Sequence, residues 1–339
     1  MEIYGGIDLH SSNNYIALID QEGRRVYNRR LPNNLEEILD VLGNYEDDIT
    51  GVAVESTYNW YWLVDGLMKA GYVLHLANPA GMQRYSGLKH CDDSSDAIWL
   101  AEMLRLGVLP EGYIYPPETR PLRDLLRKRS QLVKLRTGLI LSFQSMVARN
   151  LGFSVKGVDL SKKAAEYQEQ YWSDRPELSL IADANLTVID SLNRQIDLIE
   201  KAVRHRWKIK EGYPQLLSIP GVGYIIGMTI ELETGPISRF GRVGDYVSYC
   251  RKVNSQWTSN NKLKGSGNRK NGNRYLAWAF SEAAEFARRY NESCRAFYNR
   301  KLKKNHMMVA RSALAHKLAR AAYYIMRDNV PFDERKLFS

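Results

Sequence analysis

The chain has 339 residues, of which 44% are hydrophobic and 25% charged, a composition typical of a globular protein with two or three domains and not of a disordered one. Lysine and arginine number 48 against 38 acidic residues, and the net charge of +10 favours a polyanionic partner, with nucleic acid ahead of a membrane surface. No run approaches the roughly 18 apolar residues of a membrane span. Cys91, Cys250 and Cys294 are far apart, which argues against a disulfide framework and a zinc knuckle, so we expect a cytoplasmic protein.

The first hundred residues start with strand-like alternation and continue with helices and strands in turn. Strands are predicted at 3–8, 15–20, 24–31, 51–54 and 72–77, and helices at 33–45, 59–70 and 94–106. An antiparallel start followed by alternating α and β elements is the order expected of an RNase H-like (RuvC-like) mixed sheet. We assign residues 1–115 to such a nuclease domain, and the fold class of the whole chain is α/β plus α.

Residues 116–211 lack strand signals and are predicted to form a helical, coiled-coil linker and dimerisation region. A helix rich in Arg and Lys is expected over 122–151, and a polar break follows over 152–161. The next helix carries an apolar seam with one polar member: Leu178, Ala182, Asn185, Ile189, Leu192, Ile196, Ile199 and Val203. The seam is equally compatible with a coiled coil between two chains and with a helical hairpin inside one chain.

Residues 212–339 are predicted to be a mainly helical domain that begins with a glycine-containing turn. The turn, Ile219-Pro220-Gly221-Val222-Gly223, precedes an apolar helical run and resembles a helix-hairpin-helix motif. In such a motif the glycines, here Gly221 and Gly223, let backbone N–H groups approach a phosphate. The same pattern also occurs in ordinary turns between helices.

Four carboxylates fall at the ends of predicted elements. Asp8 ends the first strand, Glu55 ends the central strand, and Asp93 and Asp96 lie one turn apart where a helix begins. Each alone is more often a cap or a turn residue. Adjacent first and fourth strands would bring Asp8 and Glu55 side by side, and the helix could deliver the other two to the same cleft. Because grouped carboxylates repel one another, the set predicts Mg²⁺, with Mn²⁺ as a substitute, for phosphoryl transfer.

A basic stretch lies between Asp245 and Glu282 and contains no acidic residue. Its seven cations predict contacts with nucleic acid: Arg251, Lys252, Lys262, Lys264, Arg269, Lys270 and Arg274. A hydroxyl beside such cations can become a nucleophile toward phosphate, and three are available: Ser255, Thr258 and Ser259. The residues themselves do not choose among the three.

Five segments in order carry a resemblance to a known family. They are Gly6-Ile7-Asp8, Val54-Glu55-Ser56-Thr57, Lys89 followed by Asp93-Ser94-Ser95-Asp96-Ala97, Ile219-Pro220-Gly221-Val222-Gly223, and Gly272-Asn273-Arg274-Tyr275-Leu276 leading into Glu282-Ala283-Ala284. With these segments the chain resembles the bridge-RNA-guided DEDD recombinases of bacterial insertion sequences, the IS110 family, and the related Piv-type DNA invertases.

The resemblance implies a RuvC-like domain, a coiled-coil linker and a C-terminal transposase domain. It further implies that Asp8, Glu55, Asp93 and Asp96 bind the metal and that Ser259 forms a covalent phosphoserine link with DNA. A structured guide (bridge) RNA would pair with donor and target DNA, and the protein would work as a homo-oligomer, a dimer or tetramer, in the bacterial cytoplasm at the nucleoid.

The chain departs from the family pattern around the implied serine and before the third carboxylate. The family's Gly-Leu, Pro and final Gly of the serine loop are Arg251-Lys252, Asn254 and Asn260 here. Thr258 or Ser255 therefore competes with Ser259. The family's Thr before the third carboxylate is Asp92, which competes with Asp93 as a ligand.

Three functions are compatible with these features. The first is an RNA-guided DNA recombinase that uses the four carboxylates and a serine nucleophile. The second is a metal-dependent, structure-selective endonuclease or resolvase that uses activated water. The third is a non-catalytic scaffold that binds nucleic acid.

Overall fold

The computed structural model describes residues 1–82, 93–155, 174–209, 214–253, 256–266 and 271–338. The chain divides into two compact units, Met1–Pro117 and Glu118–Ser339. No helix in these described ranges combines the length and the apolar character that a bilayer span requires.

In the described part of the first unit, five strands form one mixed sheet. They are β1 (Ile3–Leu9), β2 (Asn13–Asp20), β3 (Arg25–Pro32), β4 (Ile49–Glu55) and β5 (Leu74–Ala77). Their order across the sheet is β3-β2-β1-β4-β5, with β1, β2 and β3 antiparallel and β1, β4 and β5 parallel. The antiparallel start and the later alternation of strands and helices agree with the sequence prediction.

Helices cover both faces of this sheet. They are α1 (Leu35–Gly43), α2 (Tyr61–Lys69), the short α3 (Pro79–Met82) and α4 (Asp93–Arg105). Alternate residues of β1 point to opposite faces. Ile3 and Ile7 join the apolar core with α1 and α2, whereas Gly6 lies against α4 on the other face. Asp8, two residues after Gly6, therefore points to the α4 face.

Two long antiparallel helices begin the second unit, α5 (Arg120–Leu151) and α6 (Pro176–Ile209). Near one end Ala182 packs in a cluster with Phe143, and toward the other Val203 packs with Leu126. Most of the predicted apolar seam thus packs against α5 of the same chain, as in a helical hairpin. Asn185 donates to the Ile181 carbonyl of its own helix at 2.9 Å.

The remaining helices of the second unit form its main core. They are α7 (Tyr224–Thr234), α8 (Val243–Tyr249), α9 (Arg274–Tyr290), α10 (Glu292–Leu302), α11 (Met307–Asp328) and α12 (Glu334–Leu337). Tyr246 and Phe280 are fully buried in this core and contact each other edge-on, with ring centroids 6.3 Å apart. The aromatic pair fixes α8 against α9.

The described part of the second unit also contains two short strands, which the sequence did not predict within the mainly helical region 212–339. β6 (Gln256–Ser259) and β7 (Lys262–Ser266) pair antiparallel as a hairpin. Asn260 and Asn261 connect them, both with positive φ (51° and 56°), as a two-residue hairpin turn requires. The strands are too short, and too rich in glycine and lysine, to give a strong strand signal in the sequence.

Candidate active site

Asp8 and Glu55 lie side by side at one edge of the sheet. The strands β1 and β4 are parallel, and Ile7 is in register with Val54, so the next residue of each strand reaches the same edge. The Asp8 side chain is 5% exposed, and Glu55 is half-buried. The strand order therefore places one buried and one accessible carboxylate next to each other.

The Asp8 carboxyl is held in a crowded environment. Burial, with smaller contributions from Glu55 and Asp96, raises the pKa of Asp8 to about 7, and His10 opposes the rise. The His10 Nε2 lies 3.2 Å from Asp8 Oδ2. Asn33 and Asn59 both donate side-chain N–H groups to the His10 carbonyl, at 3.0 and 2.9 Å, and so fix the turn that carries this imidazole.

Helix α4 delivers Asp96 to the same place because it crosses β1 very closely at Gly6. A Cβ on Gly6 would lie 2.1 Å from the Ala97 carbonyl oxygen and 2.6 Å from the Ala101 nitrogen. Only glycine permits this approach. Asp93 begins α4, one turn before Asp96, but its side chain lies outside the described part of the chain, as does Asp92.

The donor chemistry of this edge fits a hard divalent cation. Among the side chains that the structure describes, no three Asp, Glu, His or Cys residues are close enough to hold a metal ion as they stand. The carboxylates nevertheless supply the oxygen ligands that Mg²⁺ prefers. The crowding of Asp8 by Glu55 and Asp96 is also the repulsion that a bound cation would neutralise.

Ser259 lies at the exposed tip of the β6–β7 hairpin, at the last position before the turn. Across the hairpin it pairs with Lys262, and Thr258 pairs with Leu263. Directly paired residues have Cβ atoms about 5 Å apart, so Ser259 and Lys262 are cross-strand neighbours. Ser255 lies outside the described residues.

The turn after Ser259 has a backbone conformation that few residues adopt. Asn260 has φ of 51°, in the left-handed region that glycine adopts freely and asparagine tolerates better than most residues. An asparagine at this position therefore allows a tight turn beside the serine.

Two of the predicted phosphate-binding residues point inward at the base of the hairpin. Arg251 Nε donates to the Gly272 carbonyl at 3.0 Å, and Lys252 Nζ donates to Ser281 Oγ at 2.7 Å. Burial lowers the pKa of Lys252 to about 8. These contacts tie the segment before the hairpin to Gly272 and to α9.

The other residues predicted to bind nucleic acid are five cations and two glycines. Lys262 and Lys264 on β7 and Arg274 on α9 are exposed, and Arg269 and Lys270 lie outside the described residues.

The two glycines of the Ile219–Gly223 turn differ in their surroundings. Gly221 has φ of 82°, and a Cβ there would lie 2.2 Å from the Ala283 carbonyl oxygen, so packing against α9 accounts for it. Gly223 caps the N-terminus of α7 and faces open space.

Sequence reasoning missed a buried ionic cluster around Glu233, which is 2% exposed. Its carboxylate accepts from Arg123 Nε at 3.1 Å and from Arg127 Nε at 2.6 Å, and Asn273 Nδ2 donates to it at 2.7 Å. Asn273 Oδ1 in turn caps α9 by accepting from the Tyr275 nitrogen at 2.8 Å. The i, i+4 spacing of Arg123 and Arg127 was the available signal.

Comparisons with known proteins match both units. A family model described as a transposase, for the DEDD type of IS110, matches residues 5–149, and one described as "Transposase IS116/IS110/IS902 family" matches residues 213–299. The chain is similar to the transposase for insertion sequence element IS1111A of Coxiella burnetii, 22% identical over 79% of this chain and 73% of that protein. It is also similar to the transposase for IS1328 of Yersinia enterocolitica, 23% identical over 97% of this chain and 98% of that protein.

The chain belongs to the IS110 family of transposases. As an IS110-family transposase it is an enzyme of DNA recombination. The first match contains Asp8, Glu55 and Asp96, and the second contains the hairpin with Ser259. The two groups of candidate reactive residues therefore fall in the two regions that identify the family.

Proposed function

We propose that this IS110-family transposase cleaves and rejoins donor and target DNA through a covalent phosphoserine intermediate, guided by a structured RNA. The observation that carries the proposal is the pairing of Ser259 with Lys262 at the tip of an exposed hairpin. The mixed sheet, with β1 between β2 and β4, supports an RNase H-like assignment of the first unit.

The carboxylates Asp8, Glu55, Asp93 and Asp96 would hold Mg²⁺ in this proposal. Bound Mg²⁺ would supply charge neutralisation at the scissile phosphate, and Mn²⁺ can take its place. The residues of this chain do the positioning: Gly6 seats α4 on β1, and α4 brings Asp96 to Asp8. His10 and the turn held by Asn33 and Asn59 orient the Asp8 carboxylate.

Ser259 acts as the nucleophile on phosphorus. The Oγ–P bond forms while one P–O bond of the DNA backbone breaks, the serine proton leaves to a base, and the departing sugar oxygen takes up a proton. Lys262 opposite Ser259 stabilises the charge that develops on the non-bridging oxygens. Lys264, Arg269, Lys270 and Arg274 hold the neighbouring backbone. Attack by a strand hydroxyl on the phosphoserine reverses the step and rejoins DNA.

The partners in this proposal are donor DNA, target DNA, a guide RNA and further copies of the chain. Base pairing with RNA would read the sequence, so the basic residues need only contact the backbone. Light scattering of the purified complex tests whether a dimer or tetramer forms.

The test is a denaturant-resistant protein–DNA adduct. The protein, purified with its bound RNA, is mixed with Mg²⁺, donor and target DNA, and the products are separated under denaturing conditions. The adduct is expected for the wild type and for Thr258→Ala, the matched control. It is expected to be lost for Ser259→Ala, for Asp8→Asn, and after ribonuclease treatment or chelation of the metal.

Each outcome decides part of the proposal. If the adduct is lost with Thr258→Ala or Ser255→Ala but not with Ser259→Ala, the nucleophile is Thr258 or Ser255 instead of Ser259. Cleavage without any adduct, abolished by Asp8→Asn, replaces the recombinase mechanism by a hydrolytic endonuclease. If the adduct still forms after ribonuclease treatment, the guide-RNA part of the proposal is wrong.

A further inference from the structure

A basic groove on the second unit lies where α5 meets the start of α9. It encloses about 450 Å³ and is lined by Asp124, Arg127, Lys128, Ser130, Gln131, Lys134, Arg274 and Tyr275, which we call the α5 groove. Four of these side chains are cationic and one, Asp124, is acidic. The remaining three carry hydroxyl or amide groups. The groove therefore carries a net positive charge.

The α5 side of the groove is a continuous helical stripe. Arg127, Ser130, Gln131 and Lys134 occur at spacings of three and four residues, which places them on one face of α5. Lys128 and Lys134 are exposed. Seven residues of helix rise by about 10 Å, which equals the axial rise of about three base pairs of a duplex.

On the α9 side of the groove, the aromatic ring of Tyr275 contacts two cations. The guanidinium carbon of Arg127 lies 4.6 Å from the Tyr275 ring centroid, and that of Arg274 lies 4.9 Å away. Arg274 Nη2 also donates to the Tyr275 hydroxyl at 2.9 Å. Stacking of this kind orders side chains that are otherwise flexible.

The Glu233 cluster fixes Arg127 in this position. Glu233 accepts from Arg127 Nε at 2.6 Å and from Nη2 at 2.9 Å, and it also accepts from Asn273, which caps α9. The same buried carboxylate therefore holds α5 and the start of α9 together. The groove is organised before any ligand binds, so less ordering entropy is lost on binding.

We propose that the α5 groove binds the phosphodiester backbone of DNA beside the reactive hairpin. The inference rests on the proposed function, because Arg274 begins α9, the next described element along the chain after the hairpin that carries Ser259. Cations near the base of the hairpin would neutralise the negative charge of the phosphates of DNA that reaches the hairpin. The groove offers cations and polar side chains spaced along a helix, which suits the repeating charges of a phosphodiester backbone.

The test compares two variants that remove the same charge. Lys128→Gln with Lys134→Gln removes two groove lysines, and Lys69→Gln with Lys201→Gln removes two exposed lysines elsewhere. Equilibrium binding to a DNA duplex is measured by fluorescence anisotropy between about 50 and about 200 mM salt, with an RNA of equal length as a second probe. Thermal unfolding checks that each variant is folded, and adduct formation is measured separately.

The groove variant is expected to reduce the log–log salt slope of DNA binding by about 2, since each phosphate contact contributes about 0.9. Over that salt range the wild-type affinity then falls about tenfold more than that of the variant. The control variant keeps the wild-type slope. Tyr275→Leu is expected to weaken DNA binding as well, because the two arginines lose their common partner.

Two outcomes overturn the inference: the same slope for the groove variant as for the wild type, or a loss confined to RNA. Neither depends on the serine chemistry. If the wild type forms the adduct and the groove variant binds DNA normally, only the groove inference is wrong. If the groove contributes to DNA binding but the wild type forms no adduct, only the serine mechanism is wrong.

Discussion

Gly6 of β1 and Ala97 of α4 are in direct backbone contact, so close that a Cβ on Gly6 would lie 2.1 Å from the Ala97 carbonyl oxygen. The contact sets the distance between the sheet and the helix that carries Asp96. Asp8 lies two residues after Gly6 on the same face of β1. The close contact at Gly6 therefore sets how near Asp96 of α4 lies to Asp8 of β1.

Gly6→Ala is expected to displace α4, to destabilise the protein by about 1–3 kcal/mol and to lower DNA cleavage at least tenfold. Gly5→Ala is the matched control, since its Cβ would meet only side-chain atoms, with Val52 Cγ2 at 3.1 Å. Urea unfolding and strand cleavage are measured for both. Wild-type cleavage by folded Gly6→Ala would show that the carboxylates do not depend on this contact.

Glu233→Gln is expected to destabilise the second unit by about 3 kcal/mol at pH 7, because it leaves two arginines beside a neutral amide. Burial by itself would raise the pKa of Glu233, but Arg127 and Arg123 outweigh it and hold that pKa below its ordinary value. A lowered folded-state pKa stabilises the protein above the unfolded pKa, about 4.3, and this contribution is lost as the pH falls through the folded value.

The stability difference between wild type and Glu233→Gln should therefore be full at neutral pH and narrow below about pH 4.3. Denaturant unfolding at a series of pH values measures it. Glu231→Gln, two residues earlier on α7, is the comparison variant. A difference that stays constant down to strongly acidic pH would contradict an ionised Glu233.

Asn260→Gly is expected to keep both stability and adduct formation, whereas Asn260→Val is expected to lower both. The φ of 51° at this position suits glycine and is strained for a β-branched residue by about 1–2 kcal/mol. Adduct yield with each variant is the measurement. Equal yields for Gly and Val would mean that the turn does not position Ser259.

Lys262→Gln is expected to slow adduct formation about tenfold more than Lys264→Gln, because only Lys262 is paired with Ser259. Both lysines are exposed, so both variants should weaken DNA binding to a similar extent. Single-turnover kinetics at saturating DNA separates the two effects. Equal rates for the two variants would assign Lys262 to backbone binding alone.

The first unit could be predicted from its sequence because its signals are local. The alternation in β1, the short apolar run of β4, the polar turn before β2 and the Asn34 cap of α1 all agree with one fold. The adjacency of Asp8 and Glu55 followed from the strand order that those signals suggested.

The second unit was less predictable because its decisive contacts are long-range. The Glu233 cluster joins α5 to α7 and α9 across more than a hundred residues of chain, and the i, i+4 spacing of Arg123 and Arg127 does not identify the carboxylate that they bind. The β6–β7 hairpin was missed because an Asn-Asn turn is a weaker signal than Asn-Gly. The sequence did not decide what the α6 seam packs against, because a narrow apolar stripe can pack equally well on a second chain or on a helix of the same chain.

The most direct test of the serine mechanism is to identify the amino acid that becomes linked to DNA. The adduct formed with Mg²⁺ is digested with protease and nuclease, and the modified peptide is sequenced by mass spectrometry. We expect a nucleotide-derived phosphate on Ser259, and its absence in the Ser259→Ala and Asp8→Asn proteins. Cleaved DNA with no modified peptide, dependent on Asp8 alone, would contradict the covalent mechanism.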